Sequence, residues 1–256
     1  MLLHSNMAES QDPTKMAETH QASLLDKLRE KSEELRAQDQ AARKPVEEAL
    51  KDIDRTLWRA FRWLDEALGH LEVIRPTVGH VFRLHNVLAI EKPRFDRGFV
   101  TFRRRPLAGM DVLEHVEMFY RVEGAEPILL RVSPASAAGI EERLRGSTLV
   151  YQYQTEQDDK RVVRYGLFHV QTAISASVRF QPDYHRQVIE VTLRNVDRFE
   201  SVSLVFPPDK MNEAALEDLV KFMMGEPNGF LRRAPLALIR GRRDDPMTAP
   251  AGPKRV

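Results

Sequence analysis

One run of apolar residues constrains the fold most strongly, because it keeps a helical period over seven consecutive apolar positions. The members of this run are Leu50, Ile53, Leu57, Phe61, Leu64, Leu68 and Leu71. Charged residues such as Glu47 and Lys51 fall mostly between them. A step of three or four residues is typical of an amphipathic helix, whose apolar stripe must be covered by other residues. The sequence predicts that this helix ends before Pro76 and Gly79.

A second helical pattern precedes this run. Residues 21–43 are rich in Glu, Lys, Arg, Gln and Ala and lack Gly and Pro. Their leucines Leu24, Leu28 and Leu35 lie near the helical period, which favours a solvated helix. Pro45 follows at once, and because proline lacks a backbone N–H we expect it to restart or kink the helix.

From about Gly98 the apolar period changes to two. The longest series is Val116, Met118, Tyr120 and Val122, and shorter series lie in 149–153, 163–167, 189–193 and 202–206. Alternation of apolar and polar residues is typical of antiparallel strands that are wetted on one face. Strand lengths and spacings predict roughly six to eight strands. Pro134 opens a short helix reaching about Arg143, and a last helix is expected to stop at Gly225.

Together these patterns predict an α+β fold in four parts. A disordered leader occupies residues 1–20, and a helical arm, built as two helices or one kinked helix, occupies 21–78. A mainly antiparallel β-rich domain with a short C-terminal helix follows over 79–230. A basic, flexible tail completes the chain over 231–256.

Composition excludes several classes of function. Lys and Arg number 39 against 38 for Asp and Glu, so the formal net charge of +1 gives no overall attraction to nucleic acid or anionic membrane. The chain has no cysteine, which excludes disulfides, thiolate metal sites and cysteine nucleophiles. No stretch has the apolar length of a membrane span, and the start lacks a signal-peptide pattern. We therefore predict a cytoplasmic protein with no membrane span.

The sequence contains no local motif of an active site. It lacks phosphate-binding glycine loops, zinc-binding helix motifs and nucleophile elbows. We therefore predict no catalytic residue, no metal and no cofactor, and we favour a protein that is not an enzyme. His115 and Glu117 face the same side of a strand, but a metal would need a third ligand, so a solvated strand face explains them. His80 and His85 are interpreted as ordinary junction histidines. His169 is predicted to lie on the apolar side of its strand, as a hydrogen-bonded core or rim residue.

The long helix carries the main prediction of function. Trp58, Phe61 and Trp63 broaden its apolar stripe, and aromatic residues are enriched at the centres of protein interfaces. We predict an interaction or scaffold protein that acts by self-association or by docking a protein partner. The predicted partner-binding residues are Leu57, Trp58, Phe61, Trp63, Leu64 and Leu68. The same stripe could instead complete the core of the sheet, and both interpretations stay open.

A basic segment gives an alternative function. Residues 94–105 carry five arginines against one aspartate, interleaved with Phe95, Phe99 and Phe102. Arginine binds phosphates and aromatic rings stack on bases, so this pattern indicates binding of a nucleotide or nucleic acid. The predicted phosphate-binding residues are Arg94, Arg97, Arg103, Arg104 and Arg105. Core phenylalanines with ion-paired arginines at the rim would produce the same pattern.

A third alternative is a small-molecule binder. In this interpretation, helices against the apolar face of a curved sheet would enclose an apolar ligand. The predicted lining residues are Tyr151, Tyr153, Tyr165, Phe168 and Phe180.

Overall fold

The structure is a computed structural model that describes residues 23–234 and 236–240. The chain divides into two compact units, residues 1–46 and 47–256. The predicted leader, residues 1–20, lies outside the described residues, as does the predicted tail beyond residue 240. The second part of the predicted helical arm belongs to the unit that contains the sheets.

The N-terminal helix, α1, runs from Leu24 to Ile74 as a single element of 51 residues. Pro45 lies inside it, next to the boundary between the two units. A proline removes one main-chain hydrogen bond, but the helical residues on both sides of Pro45 continue the element. The helix ends before Pro76 as predicted, and Arg75 adopts a left-handed backbone with φ of 48°.

In the second unit, the apolar stripe of α1 is buried. Leu50, Ile53, Leu57, Leu64 and Leu68 are each at most 4% exposed and belong to the same core as the sheets. The stripe therefore completes the core of the sheet, which was one of the two interpretations left open by the sequence.

Eleven strands, all antiparallel to their neighbours, form three sheets in the described part of the chain. The smallest sheet is a hairpin of β1 (Phe82–Leu84) and β2 (Leu88–Ile90). The six-stranded sheet contains β3 (Arg94–Leu107), β4 (Met110–Glu123), β8 (Ala173–Asp183), β9 (Val188–Arg194), β10 (Ser201–Phe206) and β11 (Leu236–Arg240). The third contains β5 (Ile128–Val132), β6 (Tyr151–Gln157) and β7 (Val163–Val170). The antiparallel prediction is confirmed, with more strands than expected.

The order of the six-stranded sheet is β11-β10-β9-β8-β4-β3, so β3 and β11 are its edges. The three-stranded sheet has the order β5-β7-β6. Strand β11 falls in the segment that was predicted as a flexible tail, and there it pairs with β10 instead. None of the helices in the described ranges is long and apolar enough to span a bilayer.

Two shorter helices accompany the sheets. Helix α2 (Pro134–Gly146) begins at the predicted proline and buries Ala137 and Leu144. Helix α3 (Glu213–Met224) is capped by Asn212, whose side chain accepts a hydrogen bond from the Ala215 N–H. Such a cap satisfies one of the free N–H groups of the first turn.

The end of α3 makes a close backbone contact with the segment that follows α1. Gly225 caps α3 in a left-handed conformation with φ of 72°, and the Gly79 N–H donates to the Met224 carbonyl at 2.8 Å. A Cβ atom on Gly225 would lie 2.8 Å from the Gly79 Cα. Neither position has space for a side chain, so two glycines are required where these segments cross.

The two faces of the six-stranded sheet differ in chemistry. Val116, Val178 and Leu204 lie on the face that is buried with α1 in the core. The opposite face carries polar and charged side chains, among them Glu117 and Arg179 on directly paired strands. This alternation follows the period of two seen in the sequence.

Candidate interaction surface

The structure divides the predicted partner-binding residues of α1 into two groups. Leu57, Leu64 and Leu68 are buried within the chain, so in this fold they are core residues that no partner can reach. Trp58 is 37% exposed, while Phe61 and Trp63 are half-buried. The broad aromatic side of the helix therefore contains a part that solvent reaches.

Phe102 of β3 joins Trp58 and Phe61 of α1 in one cluster. The Trp58 and Phe61 rings stack with centroids 5.1 Å apart. Phe102 meets both rings edge-on, at 5.2 Å from Trp58 and 5.0 Å from Phe61. Phe102 is 39% exposed, so the cluster is packed on one side and open to solvent on the other. We call these three residues the aromatic surface.

The aromatic surface lies on the edge of the six-stranded sheet. The first part of β3 has its outer side occupied, since Phe95 donates its N–H to the Pro76 carbonyl and Gly98 donates to Glu72 Oε1 at 2.9 Å. Outward-facing groups alternate along an antiparallel strand, so Val100 and Phe102 direct their N–H groups to the same side as Gly98. In the described ranges, no strand pairs with that side of β3. This stretch is a free sheet edge beside three aromatic rings.

Most of the predicted phosphate-binding arginines already have partners. Arg103 pairs with Glu114 at 3.0 Å and Arg104 with Asp111 at 2.8 Å. The remaining contacts run from Arg97 to Asp96 at 3.8 Å and from Arg94 to the Arg75 carbonyl at 3.3 Å. Arg105 pairs through its backbone with Val112, but within the described residues its side chain makes no hydrogen bond or ion pair. These arginines are exposed, so each pair is weak and screened, but together they neutralise much of the positive charge.

The phenylalanines of the basic segment lie on both faces of the sheet. Phe95 is buried against Tyr120, with ring centroids 6.1 Å apart. Phe99 is 60% exposed and stacks on Phe119 at 5.3 Å, on the polar face. Phe102 lies on the other face, in the aromatic surface. The interpretation of core phenylalanines therefore holds for Phe95 only.

An arginine joins the His115–Glu117 pair. Arg179 of β8 donates to His115 Nδ1 at 3.1 Å and approaches Glu117 at 3.7 Å. Burial, and then the Arg179 charge, lower the pKa of His115. No group of three metal-binding side chains exists among the described residues. The pair is part of an ion network on the polar face, which agrees with the solvated-strand interpretation.

The other histidines occupy different positions. His80 is half-buried and its Nε2 atom contacts the Phe222 carbonyl, as expected of a junction histidine. His169 is exposed on β7, opposite Leu129 and Gln152 on the neighbouring strands. The interpretation that placed His169 on an apolar side was wrong, because β7 directs Phe168 and Val170 to the core instead.

The residues predicted to line an apolar ligand site do not share one. Tyr153 packs on Phe168 at 4.6 Å, in the three-stranded sheet. Tyr165 lies on the other face of that sheet, beneath the Arg131 guanidinium. Phe180 is buried in the six-stranded sheet. Because these rings contact one another, lie on opposite faces or belong to separate sheets, they do not line a common cavity.

A cavity of about 470 Å³ lies between α1 and the start of α3. Its charged and polar walls include Asp52, Arg55, Arg59, Asp209 and Asn212. Two aspartates balance the two arginines, and Arg55 pairs with Asp52 at 3.2 Å. The cavity therefore shows no charge preference that would identify a ligand.

The chain matches no known protein family, no curated protein and no solved structure. Function is therefore inferred from this chain's own surfaces.

Proposed function

We propose that this protein is an interaction module that binds an extended segment of a protein partner along the free edge of β3. The observation that carries the proposal is the contact of Trp58, Phe61 and Phe102 beside that edge. An added strand would take its main-chain hydrogen bonds from β3, and its alternate side chains would pack on the aromatic surface. The proposal keeps the non-enzymatic role expected from the sequence, but it moves the binding residues away from the buried leucines.

Burial of the aromatic surface supplies the main favourable energy. Trp58 and Phe102 expose a little over a third of their surface each. Covering that area removes roughly 150 Å² from water, which corresponds to about 4 kcal/mol as an upper bound. Ordering a flexible peptide would consume part of this energy, so the aromatic contact alone would give a Kd of about 1 mM or weaker, and main-chain hydrogen bonds to β3 would have to supply any tighter binding.

Charge favours an acidic segment over a nucleic acid. Arg105 makes no ion pair within the described residues, and it lies three residues beyond Phe102 on the same strand. One or two carboxylates on a peptide would match this side chain. A nucleic acid would require several uncompensated cations, whereas Arg103 and Arg104 are already paired with Glu114 and Asp111.

A peptide-display selection tests the proposal. Random peptides would be selected on the wild-type protein and counter-selected on Trp58→Ala. We expect enrichment of peptides with alternating apolar residues, and we expect Trp58→Ala or Phe102→Ser to weaken their binding at least about tenfold. Methylation of alternate peptide amides should abolish binding, because it removes the hydrogen bonds of an added strand.

Leu129→Ala is the matched control, since Leu129 is an exposed apolar side chain of a different sheet and should not affect binding. A selection that enriches no sequence, or peptides that bind Trp58→Ala as tightly as wild type, would refute the proposal. Fluorescence anisotropy with labelled single-stranded DNA and RNA at low salt tests the alternative. Tight, salt-sensitive binding that is lost on Arg105→Gln would support the nucleic-acid function instead.

A further inference from the structure

The first part of α1 exposes four leucines. Leu24, Leu25, Leu28 and Leu35 are 54% to 76% exposed. At about 100° per residue, all four fall within an arc of about 100° on the helix surface. They form a narrow apolar stripe whose members are all more than half exposed, and we call it the leucine stripe. Its residues belong to the first unit, whereas the residues of the aromatic surface belong to the second.

Charges around the leucine stripe are sorted by sign. The side chains at the two borders of the stripe, within about 100° of Leu28, are the basic ones. They are Lys27, Arg29, Lys31 and Arg36. The side chains that face away, at more than about 100°, are the acidic ones. They are Asp26, Glu30, Glu33 and Glu34.

The pairs between these charges are weak. Arg29 lies 3.7 Å from Asp26 and Lys31 lies 3.6 Å from Glu34, and all four side chains are more than half exposed. Exposed helical pairs of this kind contribute little and are screened by salt. The basic side chains at the border are therefore available to an anionic partner.

This order of charges fits an anionic membrane surface. We propose that residues 24–36 bind in the plane of an anionic bilayer, with the leucine stripe among the acyl chains. The basic border would reach the lipid phosphates, as long cationic side chains do at interfaces. The acidic residues would lie across the helix, about 10 Å further from the lipid, which is comparable to the Debye length at physiological salt. The segment has no net charge, but the side that would face the lipid is positive.

Two other occupants fit the stripe less well. A protein groove that accepts a helix contacts apolar residues at positions i, i+3 or i+4, and i+7. Leu24 and Leu28 would fill the first two of these positions. The position that should follow is occupied by Lys31, next to Ser32, and not by an apolar residue. If a second copy of the helix packed on the leucine stripe, Arg29 and Arg36 would lie close to basic residues of that copy at the edge of the interface. A fluid interface requires no such spacing, and it gains from the same basic border.

Vesicle flotation with the full chain tests this proposal. We expect binding to phosphatidylcholine vesicles that contain about a third phosphatidylglycerol, and much weaker binding to pure phosphatidylcholine or at high salt. Leu28→Gln combined with Leu35→Gln should lower the partition coefficient up to about a hundredfold, since each leucine that enters the bilayer is worth about tenfold. Leu129→Gln provides the matched control, because Leu129 is similarly exposed at 57% but lies in the three-stranded sheet.

A second variant covers the case in which the leucine changes unfold the helix. Arg29→Gln combined with Arg36→Gln keeps the stripe, and it should weaken binding to anionic vesicles about tenfold or more while leaving pure phosphatidylcholine unaffected. Trp58→Ala should bind vesicles like wild type, so failure of the peptide proposal and of this one can be distinguished. The proposal would be overturned if the wild-type chain did not bind anionic vesicles, or if both double variants bound them as tightly as wild type. A wild-type dimer that dissociates on the leucine changes would assign the stripe to a second copy.

Discussion

Removal of one hydroxyl group should stabilise this protein. Tyr120 is 3% exposed on the core face of β4, and its Oη atom finds no hydrogen-bond partner among the described residues. The ring itself is well packed, parallel to the Phe95 ring. Tyr120→Phe keeps this packing and deletes only the unpaired polar atom, so it isolates the cost of burying that atom.

The magnitude follows from the cost of desolvation. A buried hydroxyl without a partner costs about 1–3 kcal/mol, while a phenylalanine ring in the same place costs nothing comparable. We therefore expect Tyr120→Phe to raise the free energy of unfolding by about 1–2 kcal/mol. For a protein of this size, the melting temperature should rise by about 2–8 °C.

The same residue makes stability depend on alkaline pH. Burial, and secondarily the charge of Asp197, raise the pKa of Tyr120 above its ordinary value. A raised folded-state pKa means that the stabilisation is complete below the unfolded-state pKa and is lost as pH rises above it. Wild type should lose up to about 1.4 kcal/mol per pH unit above about pH 10 from this group. Burial also raises the pKa of Tyr184, so Tyr120→Phe should reduce this slope without abolishing it.

Urea unfolding followed by circular dichroism, at neutral pH and at about pH 10.5, measures both effects. Tyr184→Phe is the matched control, because its hydroxyl donates to the Leu113 carbonyl at 2.7 Å. The free energy of unfolding of this second variant should fall by about 1 kcal/mol, whereas that of Tyr120→Phe should rise. A loss of stability in Tyr120→Phe similar to that of Tyr184→Phe would refute the reasoning, since it would show that the Tyr120 hydroxyl is bonded.

Three further predictions concern the packing of the second unit. Gly225→Ala should destabilise by about 2 kcal/mol or more in urea unfolding, because it combines a left-handed backbone with a clash against Gly79. Asn212→Ala should lose about 1 kcal/mol by removing the cap on the Ala215 N–H, and Asn212→Asp should retain most of it. The pKa of His115 is lowered, so the stability linked to it is present at neutral pH and lost as pH falls below about 6.5; His115→Gln should show a smaller loss between about pH 7 and pH 5.

The sequence predicts the helical stripe well because that pattern is local. Leu50, Ile53 and Leu57 follow the helical period, and all three are buried as that period requires. Pro45 is less informative. It removes one main-chain hydrogen bond, but the helix of 51 residues continues past it. Capping signals such as Gly225 are equally local, and the helix ends that they predict are confirmed.

The partition of strands into three sheets is not encoded in any local pattern. The alternation in β7 indicates that its two sides differ, but it does not show which side faces the core. For His169 the predicted side was wrong. The aromatic surface has the same difficulty, because Phe61 and Phe102 meet only through the register of α1 on β3. The sequence contains both aromatic residues, but only the folded structure shows that they are in contact.

The edge at β3 has a consequence for how far assembly can proceed. A sheet with an open border is a template on which strands can add without limit, as in fibrils. Here two irregularities in the pairing of β3 with β4, between Phe95 and Arg97 and between Arg103 and Arg104, bracket the open stretch, and Pro106 lies just beyond it. Bulges increase the local twist and proline cannot donate to a ladder, so only a short extended segment can align there. With the proposed function, this border would favour one short guest strand over a growing stack of strands.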